Sequence, residues 1–106
     1  MTTCPGCGLV LPGNDAPDRA GLNASAACRG MYDEVAAFGL SRPDLGARCH
    51  QMTVDAYAAQ HVGPSTKPIT IAFALIGLEL ALERGVSGIG VRGAHKELAD
   101  RRIAWP

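Results

Sequence analysis

A chain of 106 residues has room for one core and not two, so a single domain is expected over residues 1–106. Ten Lys and Arg balance ten Asp and Glu without a long block of either sign, which argues against a dedicated nucleic-acid binder, because such a protein needs a basic stripe to displace counterions from phosphates. The longest apolar stretch, Ile69 to Leu78, is closed by Glu79 and falls short of the ~18 residues of a membrane span.

The start, Met1-Thr2-Thr3-Cys4, has neither the basic nor the apolar segment of a signal peptide, so a cytoplasmic location is expected. In that reducing compartment four cysteines point to metal or redox chemistry rather than to disulfides. Zero net charge beside 47% apolar residues suggests surface covered by a protein partner or a second copy.

Residues 4–23 carry Pro5, Gly6, Gly8, Pro12, Gly13, Asn14, Asp15, Pro17 and Gly21, a density of turn formers that excludes a regular helix and predicts a loop in need of an anchor. A first helix is predicted from the capping residue Ser25, with Cys28, Met31, Tyr32, Val35 and Phe38 spaced to form one buried face and Gly39 at its end. Ser41-Arg42-Pro43-Asp44 makes a turn, and a second helix runs from about Asp44 to His61, stopped by Gly63-Pro64.

Ser65-Thr66-Lys67-Pro68 opens a third helix that ends near Gly85. Ile69, Ile71, Phe73, Leu75, Ile76, Leu78, Leu80 and Leu82 surround it, which places it at the buried centre of the domain, with dimerisation as an addition. Ser87 caps a fourth segment through Leu98 to Arg101, weakened by Gly88, Gly90 and Gly93 at about 1 kcal/mol each. No run alternates as a strand does. The fold class is therefore an all-α bundle of about four helices over residues 25–106, with a zinc-knuckle loop over residues 1–24.

Cys4-Pro5-Gly6-Cys7-Gly8 is the most specific motif, since a Pro-Gly turn brings two thiolates to one side of a tight loop whose N–H groups can turn toward sulfur. A redox pair normally follows a strand and opens a helix, and here only three residues precede Cys4 and a loop follows Cys7. A structural zinc ion takes four N or S donors. Cys28, in the first turn of a helix, is the natural third, where free N–H groups and the helix dipole favour a thiolate; its alternative is a small buried core residue.

The fourth donor is open between the neighbours Cys49 and His50, which point about 100° apart on a helix. Cys49 would give equal gaps of twenty residues between Cys7, Cys28 and itself, a spacing that slightly favours it. His50 and His61 lie eleven residues apart, about 16 Å along a helix, so they cannot share one ion. An all-thiolate site also suits iron and sulfur, but a single knuckle in a neutral loop suits zinc better.

Together with the N-terminal CPGCG, the segment His50-Gln51-Met52-Thr53-Val54-Asp55-Ala56-Tyr57-Ala58-Ala59-Gln60-His61 resembles a bacterial family of uncharacterised domains whose second helix reads close to HQLTVDAYxxQHPG. The resemblance covers residues 4–63 well and 68–86 loosely, and departs from the pattern at Met52 and Val62. It implies a cysteine at Cys28 and a histidine at His50, with the position of Cys49 variable, and so selects Cys4, Cys7, Cys28 and His50 as ligands of Zn2+, with Cys49 as the alternative. It implies no activity.

Three functions follow. Four protein ligands make a closed structural zinc site in an interaction or accessory module that binds a protein partner or forms a homodimer. Three ligands and a bound water would make a zinc enzyme, hydrolytic or biosynthetic, acting on a small molecule, with Asp55 or His61 as base and Tyr57 as acid or orienter. A DNA-binding regulator is the weakest reading, resting on Arg84, Arg92, Lys96, Arg101 and Arg102 alone.

Overall fold

The structure, a computed structural model, describes residues 1–13 and 22–106, so the part of the expected loop at 14–21 lies outside the described residues. Ahead of the helices, Thr2–Thr3 (β1) pairs antiparallel with Val10–Leu11 (β2), Thr2 opposite Leu11 and Thr3 opposite Val10. Two residues per strand are too short for an alternating pattern to register in sequence, which is why this hairpin was not expected. The CPGCG turn fills the space between the strands.

Helix α1 spans Ala26–Leu40, and Ser25 caps it by accepting from the Cys28 N–H at 3.1 Å. Ser41 ends it, its N–H donating to Ala37 and its hydroxyl to Phe38. Only Ser41 and Arg42 separate it from α2, Pro43–Gln60, with Pro43 in the first turn, where the missing N–H costs nothing. So short a link makes α1 and α2 an antiparallel hairpin.

Helix α3, Pro68–Leu78, also starts on proline and passes directly into a π-helical turn, Glu79–Glu83, closed by Gly85 at φ +65°. Helix α4, Gly88–Asp100, is capped by Ser87 accepting from the Gly90 N–H. All four helices thus start within one or two residues of where their caps and prolines predict. Among the described residues no helix is long and apolar enough to cross a membrane.

The centre of the domain is α2, which packs against α1, α3 and α4. This corrects the expectation for α3, whose buried residues are only Ala74 and Gly77 while Leu75 and the nearby Leu82 are exposed. High apolar content did not make α3 central, because a core position is set by the number of neighbouring elements, and α3 flanks α2 on one side. The expected buried face of α1 is also open: Met31, Val35 and Phe38 are 48%, 58% and 59% exposed.

The molecule is a plate, 40 × 36 × 21 Å. Its main buried cluster is Cys4, Ala24, Cys28 and Tyr57, with Leu11, Leu22 and Tyr32 packed around it. Two of the four core members are cysteines, so the best-packed part of the interior coincides with the thiols.

Candidate metal centre

Cys4 is held at both main-chain ends, its N–H donating to Leu9 at 2.8 Å and its carbonyl accepting from Gly8 at 2.9 Å. The return of the turn needs Gly8 at φ +79°, a conformation that side chains with a Cβ disfavour. Gly6 is required for a different reason. A Cβ there would run into the Asn23 carbonyl oxygen and lie 2.7 Å from the His61 ring.

The Cys4 sulfur is almost wholly buried, and burial by itself raises its pKa. Against that, the N–H groups of Cys7, Ser25 and Gly6 and the Cys7 thiol turn toward the sulfur, and together they bring it down to about 6. Donors that favour a thiolate are the outer support a metal ligand needs.

Cys28 is the third residue of α1, fixed by the Ser25 cap, and burial pushes its thiol up to about 11, helped by the neighbouring Cys4 and Cys7, while the Tyr57 hydroxyl pulls the other way. Its Sγ lies 3.9 Å from Cys7 Sγ and 3.4 Å from His61 Nε2, and it accepts from the Tyr57 hydroxyl at 3.4 Å. The cysteines are not disulfide-bonded.

His61 is the residue that closes α2, with 1% of its surface exposed. Its Nδ1 sits 2.7 Å from the Tyr57 carbonyl oxygen, which can only accept, so Nδ1 carries the proton and the Nε2 lone pair faces Cys28. The Tyr57 ring stacks on the imidazole at 3.9 Å between centroids, and Tyr32 stacks on Tyr57 at 4.2 Å. The Asn23 N–H donates to the His61 carbonyl and so ties the incoming chain to the end of α2.

The donor atoms of Cys4, Cys7, Cys28 and His61 all lie within 4.8 Å of one another. Tetrahedral zinc, with bonds of about 2.3 Å to sulfur and about 2.05 Å to nitrogen, requires S–S and S–N edges of about 3.8 Å and about 3.6 Å. Two of the six edges, 3.9 Å for Cys7–Cys28 and 3.4 Å for Cys28–His61, are close to these values, and all six lie within 4.8 Å. The donor set therefore fits one ion.

The fourth member is His61, where the sequence reading put His50 or, alternatively, Cys49; neither of those belongs to the group. The reason lies in the hairpin. Cys28 is at the start of α1, so antiparallel packing brings the end of α2 to it, whereas His50 is about 16 Å back toward the hairpin turn. His50 is half-buried with Nδ1 unpartnered, and Cys49 is half-buried, its carbonyl accepting from Thr53.

Of the candidate acid–base residues, Tyr57 and His61 are in the centre and Asp55 is not. Asp55 faces the other side of α2, beside Gly77 and His95, with Gln51 donating to Oδ1 at 3.1 Å and Oδ2 unpartnered. Its burial raises its pKa, opposed by the Gln51 bond and the His95 ring. With Nδ1 held by the Tyr57 carbonyl, His61 turns its single Nε2 lone pair toward the sulfur cluster.

A family model of a "Family of unknown function" matches residues 2–105, nearly the whole chain. The chain belongs to that family, DUF5946. This agrees with the resemblance to an uncharacterised family drawn from the two motifs. No curated protein and no solved structure matches the chain. The segment that carries the resemblance contains both His50 and His61, and of the two it is His61 that lies beside Cys4, Cys7 and Cys28.

Proposed function

We propose that the chain is a zinc-stabilised helical module in which Cys4, Cys7, Cys28 and His61 hold one Zn2+ in a closed tetrahedral shell. The observation that carries this reading is the convergence of four N and S donor atoms within 4.8 Å of one another, with the Cys7–Cys28 and Cys28–His61 separations of 3.9 Å and 3.4 Å close to the edges of such a tetrahedron. Three thiolates and one imidazole in a space this small suit a single borderline-soft ion better than an iron–sulfur cluster, which takes its ligands chiefly from thiolates. With four protein donors no coordination position remains for substrate, so the ion acts as a clamp between the N-terminal hairpin and the α1–α2 pair. The module serves as an accessory or docking unit for other protein surface, a role its exposed apolar residues favour over catalysis.

Metal analysis of protein purified without added zinc, followed by thermal melting with and without a strong chelator, tests the reading. One equivalent of zinc and a large chelator-induced loss of stability are expected. Protein that is metal-free, fully folded and unchanged by chelator would rule it out. Cobalt substitution adds the coordination number: a four-coordinate thiolate spectrum unmoved by small anions is expected, and displacement by anions would mean an open site.

A further inference from the structure

The three thiols of the metal centre differ in their access to solvent. Cys4 and Cys28 are buried, 1% and 4% exposed, while Cys7 is exposed and lines an open groove of about 540 Å³ on the face of the helices. Cys28 and His61 line the same groove, so a small solute there meets Cys7 first and finds its cluster partners directly behind it.

The sulfurs are also paired unequally. Cys7 Sγ lies 3.9 Å from Cys28 Sγ, and closing that gap to the ~2 Å of a disulfide takes a shift of about 2 Å. Cys7 can supply the shift, because it sits in an exposed turn between β1 and β2, whereas Cys28 is fixed in the first turn of α1 by the Ser25 cap. Cys4 is the poorer partner. The N–H groups of Cys7, Ser25 and Gly6 turn toward its sulfur, and a disulfide sulfur would lose the charge that makes such bonds strong.

We propose that Cys7 is an oxidation site for hydroperoxides and that Cys28 resolves it, so that peroxide opens the metal centre. The inference rests on the zinc reading above, in which both sulfurs are held as thiolates. Cys7 Sγ attacks one oxygen of hydrogen peroxide, the O–O bond breaks, the sulfur becomes a sulfenic acid and hydroxide departs. Cys28 Sγ then attacks the Cys7 sulfur, the S–S bond forms, the S–O bond breaks and a second hydroxide leaves. Both hydroxides take protons from solvent, so the two thiolates lose two electrons and the peroxide becomes two waters.

Of the four donors, Cys4 and His61 remain. At roughly 10²- to 10³-fold in affinity per ligand, losing two weakens zinc binding by about 10⁴- to 10⁶-fold, which releases the ion. The new bond keeps the N-terminal turn on α1 while His61, at the end of α2, loses its link to both.

The test uses the full chain, its zinc content measured beforehand, treated with a slight excess of hydrogen peroxide. Zinc release is followed with a chromophoric chelator, and the linked peptides are mapped by mass spectrometry without reduction. One equivalent of zinc leaving in step with a Cys7–Cys28 bond is expected, with thiols and zinc binding restored by a dithiol reductant. Before peroxide, an alkylating probe should modify Cys7 at least about tenfold faster than Cys4 or Cys28. Cys49→Ser, outside the cluster, leaves the rate and the bond unchanged. Zinc-loaded protein that keeps its ion and thiols in peroxide, forms any other product, or is alkylated equally at the three cysteines overturns the proposal and leaves the zinc reading standing. Protein that carries no zinc before peroxide is added overturns both.

Discussion

Replacing His61 with alanine, in parallel with His50, separates the two candidate fourth ligands most sharply. Structural zinc contributes about 10–16 kcal/mol to small domains, so one ligand of four accounts for about 2.5–4 kcal/mol, or roughly 10²- to 10³-fold in affinity. His61→Ala has a second cost, because the ring is buried and stacked on Tyr57, and its removal leaves a cavity worth about 2 kcal/mol or more with or without metal. The quantity to compare is therefore the metal-dependent part of the stability. Zinc affinity is read by competition with a chromophoric chelator, and melting is followed with metal present and withdrawn. His61→Ala should lose the 10²- to 10³-fold, and His50→Ala, whose ring lies outside the cluster, should change affinity by less than about threefold. The reverse pattern, affinity kept at His61→Ala and lost at His50→Ala, would refute the argument from the hairpin.

Other substitutions reach the same structure from different sides. Tyr57→Phe keeps the ring stack but removes the hydroxyl that donates to Cys28, and chelator competition should find zinc bound about tenfold more weakly. Gly6→Ala drives a methyl group into the Asn23 carbonyl and the His61 ring, and should lower stability in denaturant titrations by about 1–3 kcal/mol. Asp55→Asn should stabilise the protein by about 1 kcal/mol at pH 8 and not at all near pH 4. Its sign follows from burial, which raises the carboxyl pKa in the fold despite Gln51 and His95. The wild type is then relatively favoured below the unfolded value and loses that advantage as pH rises through the folded one. Parallel melting curves at all pH values would contradict this.

The sequence made the local features legible. Ser25, Ser87 and the prolines at 43 and 68 act through their immediate neighbours, so helix starts were readable from them. Cys4 and Cys7 were readable for the same reason, as was Cys28 through its place in a capped first turn. His61 was not, although one further step of geometry reaches it: a two-residue link forces an antiparallel hairpin, and Cys28 near one end demands a partner at the other. The motif holds His50 and His61 alike, and only the antiparallel packing tells them apart. Burial was the other gap. Apolar periodicity in α1 and α3 reports which face avoids water and not what covers it, and here intrachain neighbours leave Val35, Phe38 and Leu82 uncovered.

The four donors come from positions 4, 7, 28 and 61, so the ion would link only the first 61 residues directly. Helices α3 and α4 are joined to α2 by side-chain packing, and no donor lies beyond α2. Stripping the metal would therefore release the amide hydrogens of the β1–β2 pair and the first turn of α1 to exchange, while the contacts of α2 with α3 and α4 open only when the whole chain does. Metal supply would then set how much of the N-terminal third is ordered at any moment, without dissolving the rest of the molecule.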